Sequence, residues 1–384
     1  MSKAAEEDAG DLVRMVREFV REEVVPVVSE YERSDRYPHE LVEQMAGLGF
    51  FGLTISEEYG GSGVSTLAYS QVVEELCAGW MSLAGVINSH LIMAFIIGRF
   101  GTPEQKQDYL PRMASGHFRG ALGLSEADAG SDAAAIRTSA VRDGNAYVVN
   151  GSKLWVTNGR HGSGMILAAK TDPSAEPARK GISLFIAEHG EGYHVQRDHD
   201  KLGYKGVETS EIVLDGYRAD SSKLLGGREG EGFAQVLAGL ELGRVNVAAR
   251  AVGVARAAFE HALAYAQQRE TFGKPIAQHQ TVQNQLADMA TNLRAARLLT
   301  RSAAEKMDRG ERADLEAGMA KLFASETAAS NALTAMRIHG GFGFTKEFAV
   351  ERFYRDAPLM LIGEGTSEIQ RLVIARALLK GGQP

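Results

Sequence analysis

Asp143-Gly-Asn-Ala-Tyr-Val-Val-Asn-Gly-Ser-Lys-Leu-Trp-Val-Thr157 is the stretch that divides the chain. Asp143-Gly144-Asn145 and Asn150-Gly151 are turn chemistry, and the runs beside them, Tyr147–Val149 and Leu154–Thr157, are rich in β-branched and aromatic residues. The same alphabet recurs at Gly181–Ile186 and at Glu211–Leu214, which Asp215-Gly216 closes. Nothing helical alternates with these runs. A small antiparallel barrel or sandwich is therefore expected over 119–228, rather than a βαβ sheet.

Outward from that region the period becomes helical. Over 1–118, Leu12, Val16, Phe19 and Val20 fall at helical spacing, and Leu41, Met45 and Leu48 repeat it. Thr102-Pro103-Glu104-Gln105 has the form of a capping box with proline at the first helical position. Over 229–384 long amphipathic helices return. Phe233, Leu237, Leu240, Ala248, Val252, Ala255 and Phe259 keep one face, and Val282, Leu286, Met289, Leu293, Ala296, Ala303 and Met307 another. Leu315, Met319, Leu322, Ala329, Leu333 and Met336 form a third stripe, and Ile369, Leu372 and Val373 a fourth. The predicted architecture is multidomain α+β: an N-terminal α-helical domain (1–118), a central antiparallel β barrel or sandwich (119–228) and a C-terminal four-helix bundle (229–384).

With 384 residues, 44% of them hydrophobic, the chain can support two or three packed units. A net charge of −7, with both signs spread along the chain, argues against a nucleic-acid partner, which would want a basic face. The single cysteine, Cys77, excludes an internal disulfide and any Cys-built metal site, and no metal is expected. It lies in the apolar run Val72 to Cys77 and reads as a small buried hydrophobe. The first thirty residues show no apolar leader and no Arg-rich transit pattern. No stretch approaches the roughly 18 uninterrupted apolar residues of a membrane span. Leu91–Ile97 stops at Gly98-Arg99 and reads as a buried helix. The expectation is a soluble, cytoplasmic protein.

Four segments carry chemistry. Leu122-Gly-Leu-Ser-Glu-Ala-Asp-Ala-Gly-Ser-Asp132 leaves a strand and is dominated by small residues and hydroxyls, so backbone N–H groups can approach a ligand closely. Standing alone, a polar surface loop explains it equally well. In Lys153-Leu-Trp-Val-Thr-Asn-Gly159, Trp155 and Thr157 share a strand face, which suits a flat heteroaromatic ring with hydrogen-bonding edges. A core tryptophan beside a solvent-facing threonine is the plainer reading. Arg269-Glu-Thr-Phe-Gly-Lys-Pro-Ile-Ala-Gln-His-Gln280 is read as a helix end, a turn and a new helix, with Arg269 suited to phosphate or simply closing a helix. In Leu359-Met-Leu-Ile-Gly-Glu-Gly365 an apolar run ends in Glu364 between two glycines. A carboxylate there should lose solvation and have its pKa raised, as a general base requires. Gly60-Gly61-Ser62-Gly63 and Gly340-Gly341-Phe342-Gly343 neither follow a strand nor open a helix, so they fail as dinucleotide fingerprints.

Together these segments resemble the acyl-CoA dehydrogenase family, in the family's order and at about its spacing, over nearly the whole chain. The resemblance implies FAD held by Leu122, Leu124, Ser125, Gly130 and Ser131, with Trp155, Val156 and Thr157 against the flavin. It further implies that Arg269, Thr271, Phe272, His279 and Gln280 reach FAD bound largely by a neighbouring subunit. Arg337, Gly340 and Gly341 would meet its pyrophosphate and adenine side, as would Thr366 and Glu368. Arg337 and Glu368 stand where the family usually has glutamine. Ser131, Glu241, Arg244 and Gly365 would contact the acyl-CoA substrate. Glu364 matches the usual catalytic base, and Gly243 stands where some members place that glutamate instead.

The implied reaction is α,β-dehydrogenation of an acyl-CoA to the trans-2-enoyl-CoA. Glu364 would take the α-proton and FAD the β-hydrogen as hydride, with an oxyanion hole at the thioester carbonyl. Electrons would leave through an electron-transfer flavoprotein, and the shared cofactor contacts imply a homotetramer. An acyl-thioester oxidase, a dehydrogenase of carrier-protein-bound chains, and a non-catalytic flavoprotein subunit are the competing readings.

Overall fold

A computed structural model describes residues 3–381. The chain opens with six helices: α1 (Lys3–Phe19), α2 (Val28–Ser34), α3 (His39–Gly47), α4 (Thr66–Gly79), α5 (Met81–Phe100) and α6 (Pro103–Ala114). The capping box is present in full at α6, with the Thr102 side chain accepting from Gln105 N and the Gln105 side chain accepting from Thr102 N. By mean hydropathy (1.7) and length, α5 is apolar enough to cross a membrane, although Ser82, Asn88 and His90 interrupt it. Its most apolar window is 83% buried between α7, α4 and the first strand, so it is the axial core helix of this fold.

Seven strands follow: β1 (Gly120–Gly123), β2 (Ser139–Asp143), β3 (Ala146–Thr157), β4 (Gly164–Lys170), β5 (Ile182–Glu188), β6 (Tyr193–Asp198) and β7 (Thr209–Asp220). They form one curled sheet in the order β1-β4-β2-β3-β7-β6, with β5 on β4. The expectation of a purely antiparallel region needs correcting: β1 runs parallel to β4, and β2 meets β4 through a parallel bridge. The link from β1 to β4 contains the whole β2–β3 hairpin, long enough to bring the chain back in its original direction. Both faces of β4 are buried. Met165, Leu167 and Ala169 enter the core enclosed by the sheet, while Ile166 and Ala168 enter the core shared with the helices.

The last region holds α7 (Gly232–Gln268), a small hairpin of β8 (Glu270–Thr271) and β9 (Lys274–Pro275), then α8 (Gln280–Asp308), α9 (Asp314–His339), α10 (Val350–Ile362) and α11 (Ser367–Leu379). The bundle expected from periodicity is present, with α10 as an additional helix. α9 is its centre, packed by α7, α8, α10 and α11. One detail of the reading is refined. The most buried face of α9 is a row of alanines, Ala317, Ala320, Ala324, Ala328, Ala332 and Ala335, which let α7 and α9 approach closely, whereas of the bulky stripe Leu315 alone is buried and Ala329 and Met336 pack at the edge of the core. Leu333, from the bulky stripe, is 45% exposed.

Candidate active site

The loop leaving β1 is tied to β3 by a buried ion pair. Lys153 is fully buried, and its Nζ donates to Glu126 Oε1 (2.6 Å) and to Leu124 O (3.2 Å). Leu154 N donates to Ser125 O at 2.9 Å. The Glu126 carboxylate also accepts from Arg137 N and Thr138 N. Burial pushes the Lys153 ammonium down to about 8. Burial alone would raise Glu126, but the facing Lys153 outweighs it and holds the carboxyl below its usual range. Ser125 is thus anchored through its neighbours.

Beside this loop the β3–β7 register shifts between Lys153 and Val156, a β-bulge, and Trp155 takes φ 64°. Val156 points into the sheet core, while Trp155 and Thr157 flank it on the outer side, as the strand period predicts. The indole is 58% exposed and lies against His199, ring centroids 4.4 Å apart. An open aromatic face beside a hydroxyl, on a strand pinned from behind, has the shape and polarity that a planar heterocycle would require.

Glu364 lies in the turn between α10 and α11. It adopts φ 55° and Gly365 φ 91°. A left-handed glutamate costs roughly 1 kcal/mol and persists only where its surroundings over-determine it. Here they do. Gln370 Nε2 donates to Glu364 O (3.3 Å) and Gly365 O (3.0 Å), Lys321 Nζ donates to Gly365 O (2.8 Å), and Thr366 caps α11 through Ile369 N. The carboxylate turns inward, accepting from Asn88 Nδ2 at 2.5 Å through Oε1. Oε2 is closed to solvent and has no hydrogen-bond partner. A Cβ built on Gly243 of α7 would lie 1.9 Å from Oε2, so positions 243 and 364 compete for one volume. Burial raises the Glu364 pKa, opposed by the Asn88 hydrogen bond and by the cations Arg250, Lys321 and Arg244. The result is a desolvated carboxyl with one bare oxygen.

The acyl-CoA dehydrogenase profiles match the chain in three pieces: the N-terminal domain at 6–117, the middle domain at 121–217 and the C-terminal domain at 230–379. The chain belongs to the acyl-CoA dehydrogenase family. It is 41% identical to an acyl-CoA dehydrogenase of Bacillus subtilis, covering 96% of this chain and 97% of that one. It is 40% identical to an acryloyl-CoA reductase (NADH) of Anaerotignum propionicum, covering 96% and 94%. Among solved structures, a glutaryl-CoA dehydrogenase from Mycobacterium smegmatis in complex with FADH2 superposes with a TM-score of 0.91 at 32% identity, covering 100% of this chain and 96% of that one.

An acyl-CoA dehydrogenase is an FAD-dependent oxidoreductase, and the anchored Ser125 loop with the open Trp155–Thr157 face fits a flavin. The other segments read as cofactor-binding are not gathered there within one protomer. The segment 269–280 is a tight hairpin rather than a simple turn, with Phe272 (φ 52°, 96% exposed) and Gly273 at its tip. Thr271 Oγ1 lies 3.1 Å from His279 Nε2 behind that tip, and Arg269 and Gln280 are exposed. Tyr265 stacks on His339 at 4.2 Å, so the hairpin and the exposed Arg337, Gly340 and Gly341 share one end of the bundle. Thr366 and exposed Glu368 lie with Lys321 towards the other end, sixteen residues before Arg337 on α9, or about 24 Å.

Glu241 and Arg244 both hold partners within the bundle. Ala313 N donates to Glu241 Oε1 (2.7 Å), and Arg244, 7% exposed, pairs with Asp314 (3.3 Å), so both hold the start of α9 onto α7. Gly130 and Ser131 are exposed on the loop, and Leu122 and Leu124 line its root. Sequence reasoning missed Asn88, Lys321 and the role of Lys153. Lys153 had a signal, a lysine at a core-facing register of a strand.

Proposed function

We propose that the chain removes hydrogen from the α and β carbons of an acyl-CoA, giving the trans-2-enoyl-CoA, with Glu364 as the base and an electron-transfer flavoprotein as the electron acceptor. The observation that carries this reading is the bare Oε2 of Glu364 in an otherwise closed, over-determined turn. An α-proton of a thioester is weakly acidic, and a carboxylate stripped of water is a stronger base than one in solution. Asn88 fixes the direction of the carboxylate, leaving Oε2 to receive the proton. Lys321, Arg250 and Arg244 keep the ionised form accessible despite burial. FAD, held by the Ser125 loop and by Trp155 and Thr157, supplies a hydride acceptor for the β-carbon when bound. Ser131 and Gly365 border the acyl thioester, and Glu241 and Arg244 the CoA part. The hairpin residues Arg269, Thr271, Phe272, His279 and Gln280, with Arg337, Gly340 and Gly341, serve the FAD of a neighbouring subunit in a homotetramer, whose own Thr366 and Glu368 complete that site.

Glu364→Gln tests the reading. The amide keeps size and shape, so FAD and acyl-CoA should still bind, while anaerobic flavin bleaching should slow by about 10²–10⁴-fold. Bleaching at nearly the parent rate would show that Glu364 is not the base. The NADH-linked reductase among the relatives supports a second reading, the reverse reaction, in which the same carboxyl returns the α-proton. Mixing reduced enzyme with an enoyl-CoA distinguishes the two directions by their relative rates.

A further inference from the structure

Arg250, on α7, is buried to 5% exposure, and its Nε and Nη2 are closed to solvent with no hydrogen-bond partner. A guanidinium cannot shed its charge, and burying one with bare N–H groups is costly. The nearest carboxyls, those of Glu364 and Asp356, act on it through space and leave both N–H groups without a hydrogen bond. Nε–H and Nη2–H lie on one edge of the guanidinium plane, the edge that a carboxylate grips with both oxygens.

The surroundings place Arg250 about two turns along α7 from the point where Glu364 rests. Gly243, Val247 and Arg250 share a face of α7 by helical spacing, and Gly243 is where Glu364 Oε2 rests. Arg250 lies under the Tyr204 ring, 5.1 Å from its centroid. The Tyr204 hydroxyl is beside Thr157 and presses on Gly85 of α5. Asn88 Oδ1 and Asn246 Oδ1 are also buried without partners. Tyr69, bonded to Asn246 at 2.6 Å, senses the charges of both Glu364 and Arg250, which places the cluster in one neighbourhood.

We propose that Arg250 is a specificity residue that binds a carboxylate on the far end of the acyl chain, making the substrate a short ω-carboxyacyl thioester. This rests on the reading of Glu364 as the base at the α-carbon. Seven residues separate Gly243 from Arg250, about 10 Å of helix, and an arginine side chain leans back towards the helix N-terminus. That span suits a dicarboxylyl chain of roughly four to seven carbons.

The test uses FAD-loaded enzyme and ω-carboxyacyl-CoAs from succinyl- to pimelyl-CoA, each paired with the methyl-ended acyl-CoA of equal carbon number. At least one dicarboxylyl thioester should exceed its partner by roughly 100-fold in kcat/KM. Arg250→Gln should collapse that ratio towards one, and Arg250→Lys should keep part of it, both measured on protein that retains FAD. A ratio near one in the parent, or one that Arg250→Gln leaves unchanged, overturns the inference and leaves the dehydrogenase reading standing. If no thioester bleaches the flavin, that reading falls. Calorimetric Kd values for the same pairs on the parent enzyme then decide the role of Arg250: equal values overturn it, and tighter dicarboxylyl binding supports it.

Discussion

Gly363 precedes the base with φ −67°, a conformation open to any residue, and a Cβ added there would meet only Leu359, at 3.3 Å from its carbonyl oxygen and 3.8 Å from Cδ1. The fold should therefore accept a side chain at this point, while the space beside Glu364 should shrink. Gly363→Tyr is expected to lower kcat/KM for isobutyryl-CoA at least tenfold more than for butyryl-CoA. Equal losses would remove the argument that this glycine makes room for a branched acyl group. At this scale the sequence was legible where local context sufficed: an apolar run ending in a glutamate between glycines marks Glu364. It was not legible where several helices converge. Asn88, Lys321 and Arg250 lie on three helices far apart in the chain, without a periodic signature of their own. Their meaning emerges only once α5, α7 and α9 meet at one carboxylate.

Among the elements, α5 joins the domains. Its Asn88 holds the carboxylate, its Gly85 receives Tyr204, and its His90 is bonded on both sides, through Nε2 to Phe51 O (3.0 Å) and through Nδ1 to Gly120 N–H (3.1 Å). Because Nδ1 must accept from Gly120, the ring is the neutral tautomer with its proton on Nε2. Burial pushes its pKa from 6.5 down to about 4. The unfolded chain takes up a proton below about 6.5 and the native one only near 4. This contribution to stability is therefore full above pH 6.5 and lost as pH falls towards 4, by about 3 kcal/mol. Urea unfolding followed from pH 7 to pH 4 should show the fall, and His90→Gln should make it shallower. An unchanged slope in the variant would assign the acid sensitivity to other groups. The sequence marked Leu91–Ile97 as buried helix but left its polar neighbours unread. Similarly, the period of two placed Trp155 and Thr157 on one side but gave no sign of the bulge that turns Trp155 outward.

For the molecule as a whole, the three-part architecture was legible because the hydrophobic period changes at its boundaries. The parallel joins of β4 and the alanine seam of α9 were not, since strand partners and the closeness of helices are properties of assembly rather than of any local run. The protomer leaves Phe272 96%, Phe344 87%, Leu298 52% and Leu333 45% exposed on its C-terminal region, apolar surface that a second copy would cover. Light scattering should give a tetramer, and Arg269→Ala should raise the Kd for FAD at least tenfold with little change in thermal midpoint. A fully active monomer would remove both the assembly and the shared cofactor contacts. At the centre of the same molecule sits its one sulfhydryl. Cys77 is 1% exposed where α4 meets Gly253 of α7, and burial pushes its pKa to about 12. A thiol so enclosed stays inert towards alkylating reagents until those two helices part. The chain thus carries its own clock for internal breathing, set where an N-terminal helix packs on the bundle.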